Sequence, residues 1–271
     1  MANVKITELP TGAALVGDEL QELVQVGGNV KSPVGKGIDE SYIVGLKLTW
    51  NSVSQFTVST GAAYLTSLGR ALKVQSPIVV NTSGLSIRTL YYVYLYNSGT
   101  VGAPVAAIEY STTTINATPY FGTAHEKSGD TSRRFIGVFA TNASGQVIDF
   151  IYNTAAGRFE FRKSVLLDIS SPYFALFLGA SKTWATVSMV NAIPPNCRLV
   201  SVILRNTDAT HSVVMGMPEY DSDPVVTVLN ATTAYIDFPT NDSRQVAYKY
   251  DTSGTVTGGF IIAIFAFYFE R

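Results

Sequence analysis

Residues 90–96 read LYYVYLY, and this stretch decides the fold class. Aromatic and β-branched side chains suit a pleated, half-buried surface. Side chains alternate between the faces of an extended chain. Tyr92, Tyr94 and Tyr96 therefore share one side, and Tyr91, Val93 and Leu95 the other. Asn97-Ser98-Gly99 supplies the turn chemistry that ends the strand. Rings on both faces require cover on both. Two arrangements provide it: a central strand in the chain's own core, or a strand whose Tyr92, Tyr94 and Tyr96 face meets a neighbouring subunit.

Working outward, short strand patterns alternate with turn residues in both directions. LKLTW, FTVST, RALKV and PIVVN precede the tyrosine stretch; VAAIEYS, RFIGVFA, QVIDFIY and RFEFR come after it. Strands at roughly 8–12-residue spacing predict a β-sandwich or barrel, and no helical periodicity competes. Asn142-Ala143-Ser144-Gly145 predicts a hairpin loop between RFIGVFA and QVIDFIY, because Gly145 tolerates positive φ. Further on, SVVMGM, PVVTVLN, TAYIDF, RQVAYKY and GGFIIAIFAFYF predict a jelly-roll-like sandwich. The run Phe260 to Phe269 has no polar face, so it belongs in a sandwich centre or along an oligomer axis. It is half the ~20 residues that a membrane-spanning helix needs, so no membrane insertion is expected.

The first 45 residues differ from the rest of the chain, with much charge and few aromatics. Leu20, Leu23 and Val24 would share one face of a helix. A strand reading fits better: ELVQV alternates, Gly27-Gly28 turns, and NVKSPV returns as a hairpin. A lone hairpin is marginal in water, so this one must lean on something else. The expected organisation is all-β: a short segment over 1–45, then β-sandwich domains over 46–163 and 164–271.

Composition narrows the function classes. The chain has 271 residues, 46 % hydrophobic and 14 % charged. The charged share is well below the usual ~25 %, which suits neutral, hydrogen-bonding surfaces, subunit interfaces among them. With 19 basic and 20 acidic residues and net charge −1, no basic run exists to bind nucleic acid. The single cysteine, Cys197, permits no intrachain disulfide. MANVKITELP lacks the apolar core of a secretory signal, so a soluble protein made in a cytoplasm is expected.

Chemistry-bearing motifs are sparse. His125 and His211 are the two histidines, and neither has the i, i+4 partner of a zinc helix. No Gly-x-Ser-x-Gly elbow occurs. Gly35-Lys36 is followed by Gly37, which rules out a Walker-type phosphate loop. Asp221 and Asp223 make half a calcium loop, without its glycine and terminal glutamate. No catalytic residue, metal ligand or cofactor is expected. For saccharide recognition, aromatic rings with Asp and Asn acceptors on loops are the relevant chemistry. The loop 217–224 with Tyr220, Asp221 and Asp223, and the loop 239–243 with Asn241 and Asp242, carry it.

Two stretches resemble a known class. ITELP followed by GDEL and VQVGGNVK, over Ile6 to Val34, is similar to the opening of tailed-phage structural proteins, chiefly tail fibres. FTVSTGAAYLTSLGRALKV, LYYVYLY and GDTSRRFIGVFATNASGQVIDF together resemble a domain of phage tail-fibre and related appendage proteins. Gly61, Ala62, Tyr64, Tyr92, Tyr94, Arg133, Arg134, Gly137 and Gly145 match its pattern. The resemblance implies a non-enzymatic structural protein of the virion, homotrimeric, made in the host cytoplasm. Its leader, through Ile6, Leu9, Leu20, Leu23, Val24 and Val26, would join other tail or adaptor proteins. Its last domain would contact a host-surface glycan. A capsid-associated head fibre or decoration protein, and a carbohydrate-active tail enzyme, are the alternatives. Arg133 or Arg134 would cover an aromatic ring or pair with Asp130.

Overall fold

The computed structural model describes residues 20–25, 28–33, 41–116, 125–162, 173–219 and 225–271. These residues hold twenty-two strands. Every pairing is antiparallel. Among the described residues there is no helix, and so none able to cross a membrane.

Strands β1 (Leu20–Gln25) and β2 (Gly28–Pro33) pair from Leu20↔Pro33 to Gln25↔Gly28, in the hairpin that the alternation of ELVQV predicts. Six short strands come next: β3 (Ile43–Gly45), β4 (Leu48–Ser52), β5 (Gln55–Val58), β6 (Gly61–Leu65), β7 (Arg70–Val74) and β8 (Ile78–Asn81). They form two three-stranded sheets, β3-β6-β7 and β4-β5-β8. Gly61 faces Gly45 across the first of these. A Cβ on Gly61 would lie 2.3 Å from the Val44 carbonyl oxygen, so only glycine permits this close backbone crossing.

The tyrosine stretch becomes β9 (Leu90–Asn97), flanked by β10 (Ala106–Ser111) and β12 (Asp130–Ala140), with β11 (Glu126–Lys127) outside β12. Leu90 to Leu95 are all buried. Tyr91 stacks on Phe139 with ring centroids 5.1 Å apart. Tyr92 and Tyr94 both pack against Phe135. The Tyr94 hydroxyl donates to the Thr113 carbonyl at 2.6 Å. The chain itself thus covers both faces of this strand as far as Leu95.

Asn142 to Gly145 forms the expected turn, with Gly145 at φ +69. Asn142 Oδ1 accepts the Ser144 and Gln146 amides at 2.9 and 3.0 Å. The hairpin around it is short. One bridge, Thr141↔Val147, is made before the chain leaves for another sheet. There β13 (Phe150–Asn153) and β14 (Arg158–Phe161) pair with each other.

The remaining strands are β15 (Phe174–Gly179), β16 (Ala185–Ser188), β17 (Cys197–Asn206), β18 (Val213–Gly216), β19 (Val226–Val228), β20 (Thr233–Pro239), β21 (Gln245–Tyr250) and β22 (Phe260–Phe269). One sheet runs β13-β14-β22-β17-β20, with β15 also on β22; a second runs β16-β21-β18-β19. Tyr248 of the second packs on Phe260 of the first at 5.6 Å. With no polar face, β22 lies inside its sheet, β17 along one side and β14 and β15 sharing the other. The pairing of β14 with β22 joins strands from both sides of the boundary expected at 163/164. The core is likewise continuous from Leu46 to Phe269. Burial of each large apolar side chain in it contributes roughly 1.5–3 kcal/mol.

Candidate functional site

The neighbouring arginines of β12 have opposite fates, as strand alternation requires. Arg133 lies 4.2 Å over the Tyr96 ring and pairs with Glu109, which Lys127 also contacts. Asp130 is 3.9 Å away. Burial pushes the Glu109 carboxyl up, but the hydrogen bonds from Arg133 and Lys127 win and hold it below its ordinary value. Arg134, only 1 % exposed, points inward. Its Nη2 donates to the carbonyls of Ser41 at 3.3 Å and Arg271 at 3.0 Å. Burial, and then the Arg271 charge, lower its pKa to about 10. Burial and then Arg134 lower His125 to about 4, so the imidazole is neutral near pH 7.

Beside Arg271 opens a cleft of about 500 Å³, lined by Ile43, Tyr152, Thr154, Gly157, Asn196, Tyr268 and Arg271 among others. That volume falls within the ~300–1,000 Å³ of small-molecule sites. Four segments build it, at 43, 152–157, 196–199 and 268–271. β13 supplies Tyr152, whose ring stacks on Phe269 at 5.2 Å and lies 5.5 Å from the Arg271 guanidinium. The turn after β13 ends in Gly157 at φ +61, where a Cβ would stand 2.8 Å from the Phe269 carbonyl oxygen. The Pro194-Pro195 turn presents Asn196, whose amide donates to the Glu270 carbonyl. β22 supplies Tyr268. Arg271 Nη1 ties this end of the chain to the Gly45 and Leu46 carbonyls at 2.8 and 3.2 Å.

Two of the lining side chains carry polar atoms without a partner. Tyr152 is 1 % exposed and Asn196 2 %, and neither Tyr152 Oη nor Asn196 Oδ1 is hydrogen-bonded. Burial raises the Tyr152 phenol well above its ordinary value, so it stays protonated and able to donate. Both atoms are sealed from solvent as well as unpaired, and the half-buried ring of Tyr268 lines the cleft.

A second polar centre is structural. Asp208, fully buried beyond the end of β17, accepts through Oδ1 the amides of Thr210 (2.9 Å) and His211 (2.8 Å). Through Oδ2 it accepts those of Thr257 (2.7 Å) and Gly258 (3.0 Å). His211 Nδ1 lies 3.0 Å from Oδ1. The Thr210 amide, with those of Gly258, Thr257 and His211, holds the carboxyl far below the ordinary range against the upward push of burial.

Of the residues singled out by sequence, Tyr92 and Tyr94 are interior. Burial raises the pKa of Tyr92, and the nearby Thr114 hydroxyl and Arg244 guanidinium oppose it only in part. Tyr96 stays half-buried under Arg133, the one member of the trio left with exposure. Leu20, Leu23 and Val24 lie on β1, while Ile6, Leu9 and Val26 fall outside the described residues. Tyr220, Asp221 and Asp223 also fall outside them. Asn241 is half-buried, its Oδ1 accepting the Gln245 amide at 2.7 Å and its amide donating to Glu219 at 2.5 Å; Asp242 is exposed. None of the described ones lines the cleft. Among the described residues no group of His, Cys, Asp and Glu could hold a metal. No protein-family model matches the chain, and no curated protein matches it significantly.

Proposed function

We propose that this chain is a structural subunit of a tailed-phage appendage, a tail fibre subunit that is non-enzymatic and homotrimeric. Residues 1–45 serve as the virion-attachment segment, joining other tail or adaptor proteins. The regions 46–163 and 164–271 act as β-sandwiches that share one core, the second jelly-roll-like and turned toward the host. The observation that carries this reading is the placement of the appendage-like pattern. Tyr92 and Tyr94 lie on β9, Arg133, Arg134 and Gly137 on its neighbour β12, in register through Arg134↔Leu95 and Gly137↔Val93. Gly61, Ala62 and Tyr64 lie together on β6. Two of the spaced features thus fall on the paired strands β9 and β12, a third on β6 of a separate three-stranded sheet, and Gly145 in the turn that follows β12.

The test is imaging of purified virions by cryo-electron microscopy with a label on this chain. Label on the tail is the expected result. Label on the capsid moves the protein to the head-fibre class, and particles without the protein overturn the reading. Shortening of host polysaccharide by the purified chain would assign it to the carbohydrate-active class instead.

A further inference from the structure

We infer that a second pocket, where the start of β9 meets the turn after β16, is a binding site for a phosphate group. It encloses about 330 Å³ and is lined by Arg88, Thr89, Tyr92, Thr112 and Asn191 among others, none of them acidic. Arg88, Thr112 and Asn191 are exposed, so a solute reaches their side chains without any rearrangement. Among the described residues the Arg88 guanidinium has no hydrogen-bond or ion-pair partner. A second cation stands behind the pocket: Tyr92 is 5 % exposed, and the Arg244 guanidinium lies near its hydroxyl. Two guanidinium groups with no carboxylate in the lining give the pocket a positive field. The planar fork of Arg88 matches two oxygens of a phosphate, and the Thr112 hydroxyl and Asn191 amide add neutral donors. The volume leaves room for a small organic group that carries the phosphate.

Both walls are fixed before a ligand arrives. Thr141 Oγ1 donates to the Ser86 carbonyl at 2.7 Å and accepts the Thr89 amide at 3.0 Å. The Arg88 amide donates to the Asn142 carbonyl at 3.0 Å. These bonds hold Arg88 at φ +49, in the left-handed region that residues other than glycine disfavour. On the second wall Arg244, itself at φ +56, donates through Nη1 to the Val190 and Ile193 carbonyls at 3.1 and 3.0 Å and so sets the 190–191 turn. Backbone strain of this kind persists only where the surroundings over-determine it, and it clusters at ligand sites. A phosphate therefore meets a frame that needs no reordering, which favours affinity. The lining comes from both sides of the 163/164 boundary, so a bound phosphate ties the two regions together and raises Tm.

The experiment is calorimetry and thermal unfolding of the full chain with inorganic phosphate and with glycerophosphate, at constant ionic strength, with acetate as the carboxylate control. Its outcome is independent of where the chain sits on a virion. Both phosphates bind and raise Tm, glycerophosphate at least as tightly as inorganic phosphate, and acetate binds much more weakly. Arg88→Gln weakens phosphate binding about tenfold, the loss of a charge-assisted hydrogen bond, and removes the rise in Tm. Asn191→Ala, on the second wall, weakens binding by a smaller factor and serves if Arg88→Gln does not fold. Arg205→Gln, at an exposed side chain outside the pocket, leaves it unchanged. No binding of either phosphate, acetate bound as tightly, a loss of equal size in Arg205→Gln, or binding indifferent to both Arg88→Gln and Asn191→Ala overturns the inference.

Discussion

Asp208 shows what one side chain does in this protein. Its two oxygens gather four backbone amides from 210–211 and 257–258, and so clamp the segment before β22 to the end of β17. Gly258 makes room for this: a Cβ there would lie 2.3 Å from the Asp208 nitrogen. Asp208→Asn keeps the shape but replaces one acceptor oxygen with a donor that faces amide donors. The expected outcome at pH 7 is a Tm lower by several degrees, read by calorimetry. The sign of the pH dependence comes from the carboxyl's depressed pKa. The stability it confers is complete above the unfolded-state value of about 3.9 and is lost as pH falls from there toward the folded-state value. The Tm gap between wild type and Asp208→Asn should therefore narrow below about pH 4. A gap that stays constant would mean the clamp does not act through charge. Single residues were legible unevenly. Alternation separates Arg133 from Arg134, but nothing local says which faces inward. The partners of Arg134, Ser41 and Arg271, lie at sequence distances of 93 and 137 residues.

At the scale of elements, β22 dominates. Phe260 to Ile264 are all buried, and neighbours flank the strand on both sides. Ile264→Ala removes three carbons from a fully buried site and should cost about 2–5 kcal/mol, the transfer term plus the cavity left behind. Urea denaturation should show a lower midpoint at an unchanged slope. A cost below ~1 kcal/mol would mean that the neighbouring sheet collapses onto the gap. The strand character of FIIAIFAFYF and LYYVYLY was plain from sequence, because propensity and the missing polar face are local properties. Partner choice was not. The turn at Asn142–Gly145 also reads correctly from its residues, yet its flanking strands separate after Thr141↔Val147. Turn chemistry fixes where the chain reverses. Which edge the next strand joins depends on a sheet completed about a hundred residues later, when β22 arrives beside β14.

Among the described residues the buried core runs across the boundary that the sequence suggested at 163/164, and the hairpin β13–β14 carries the crossing. The apolar, Gly-punctuated stretch LLDISSPYFALFLGASKTW reads as a link, so a boundary near residue 163 is the natural reading of a linear pattern. In space Phe159 stacks on Phe267 at 5.0 Å, and Tyr152 on Phe269 at 5.2 Å. The cleft was illegible for the same reason, since its four segments meet only when the two halves close. A fragment ending at residue 162 should therefore be crippled beyond the loss of the second half's own strands. It leaves Tyr152, Phe159 and Phe161 without the rings of β22, at roughly 1.5–3 kcal/mol for each side chain returned to water. It also leaves β14 as an unpaired, aromatic edge, which invites aggregation. Hydrogen exchange on that fragment should find the amides of 150–161 unprotected and the unfolding transition broad. Supplying residues 163–271 in trans should restore protection to the same amides, because β22 can add to β14 from a separate chain. If instead the fragment unfolds cooperatively with 150–161 protected, the halves are independent domains, and the contact between Phe159 and Phe267 is packing between finished units and not a shared core.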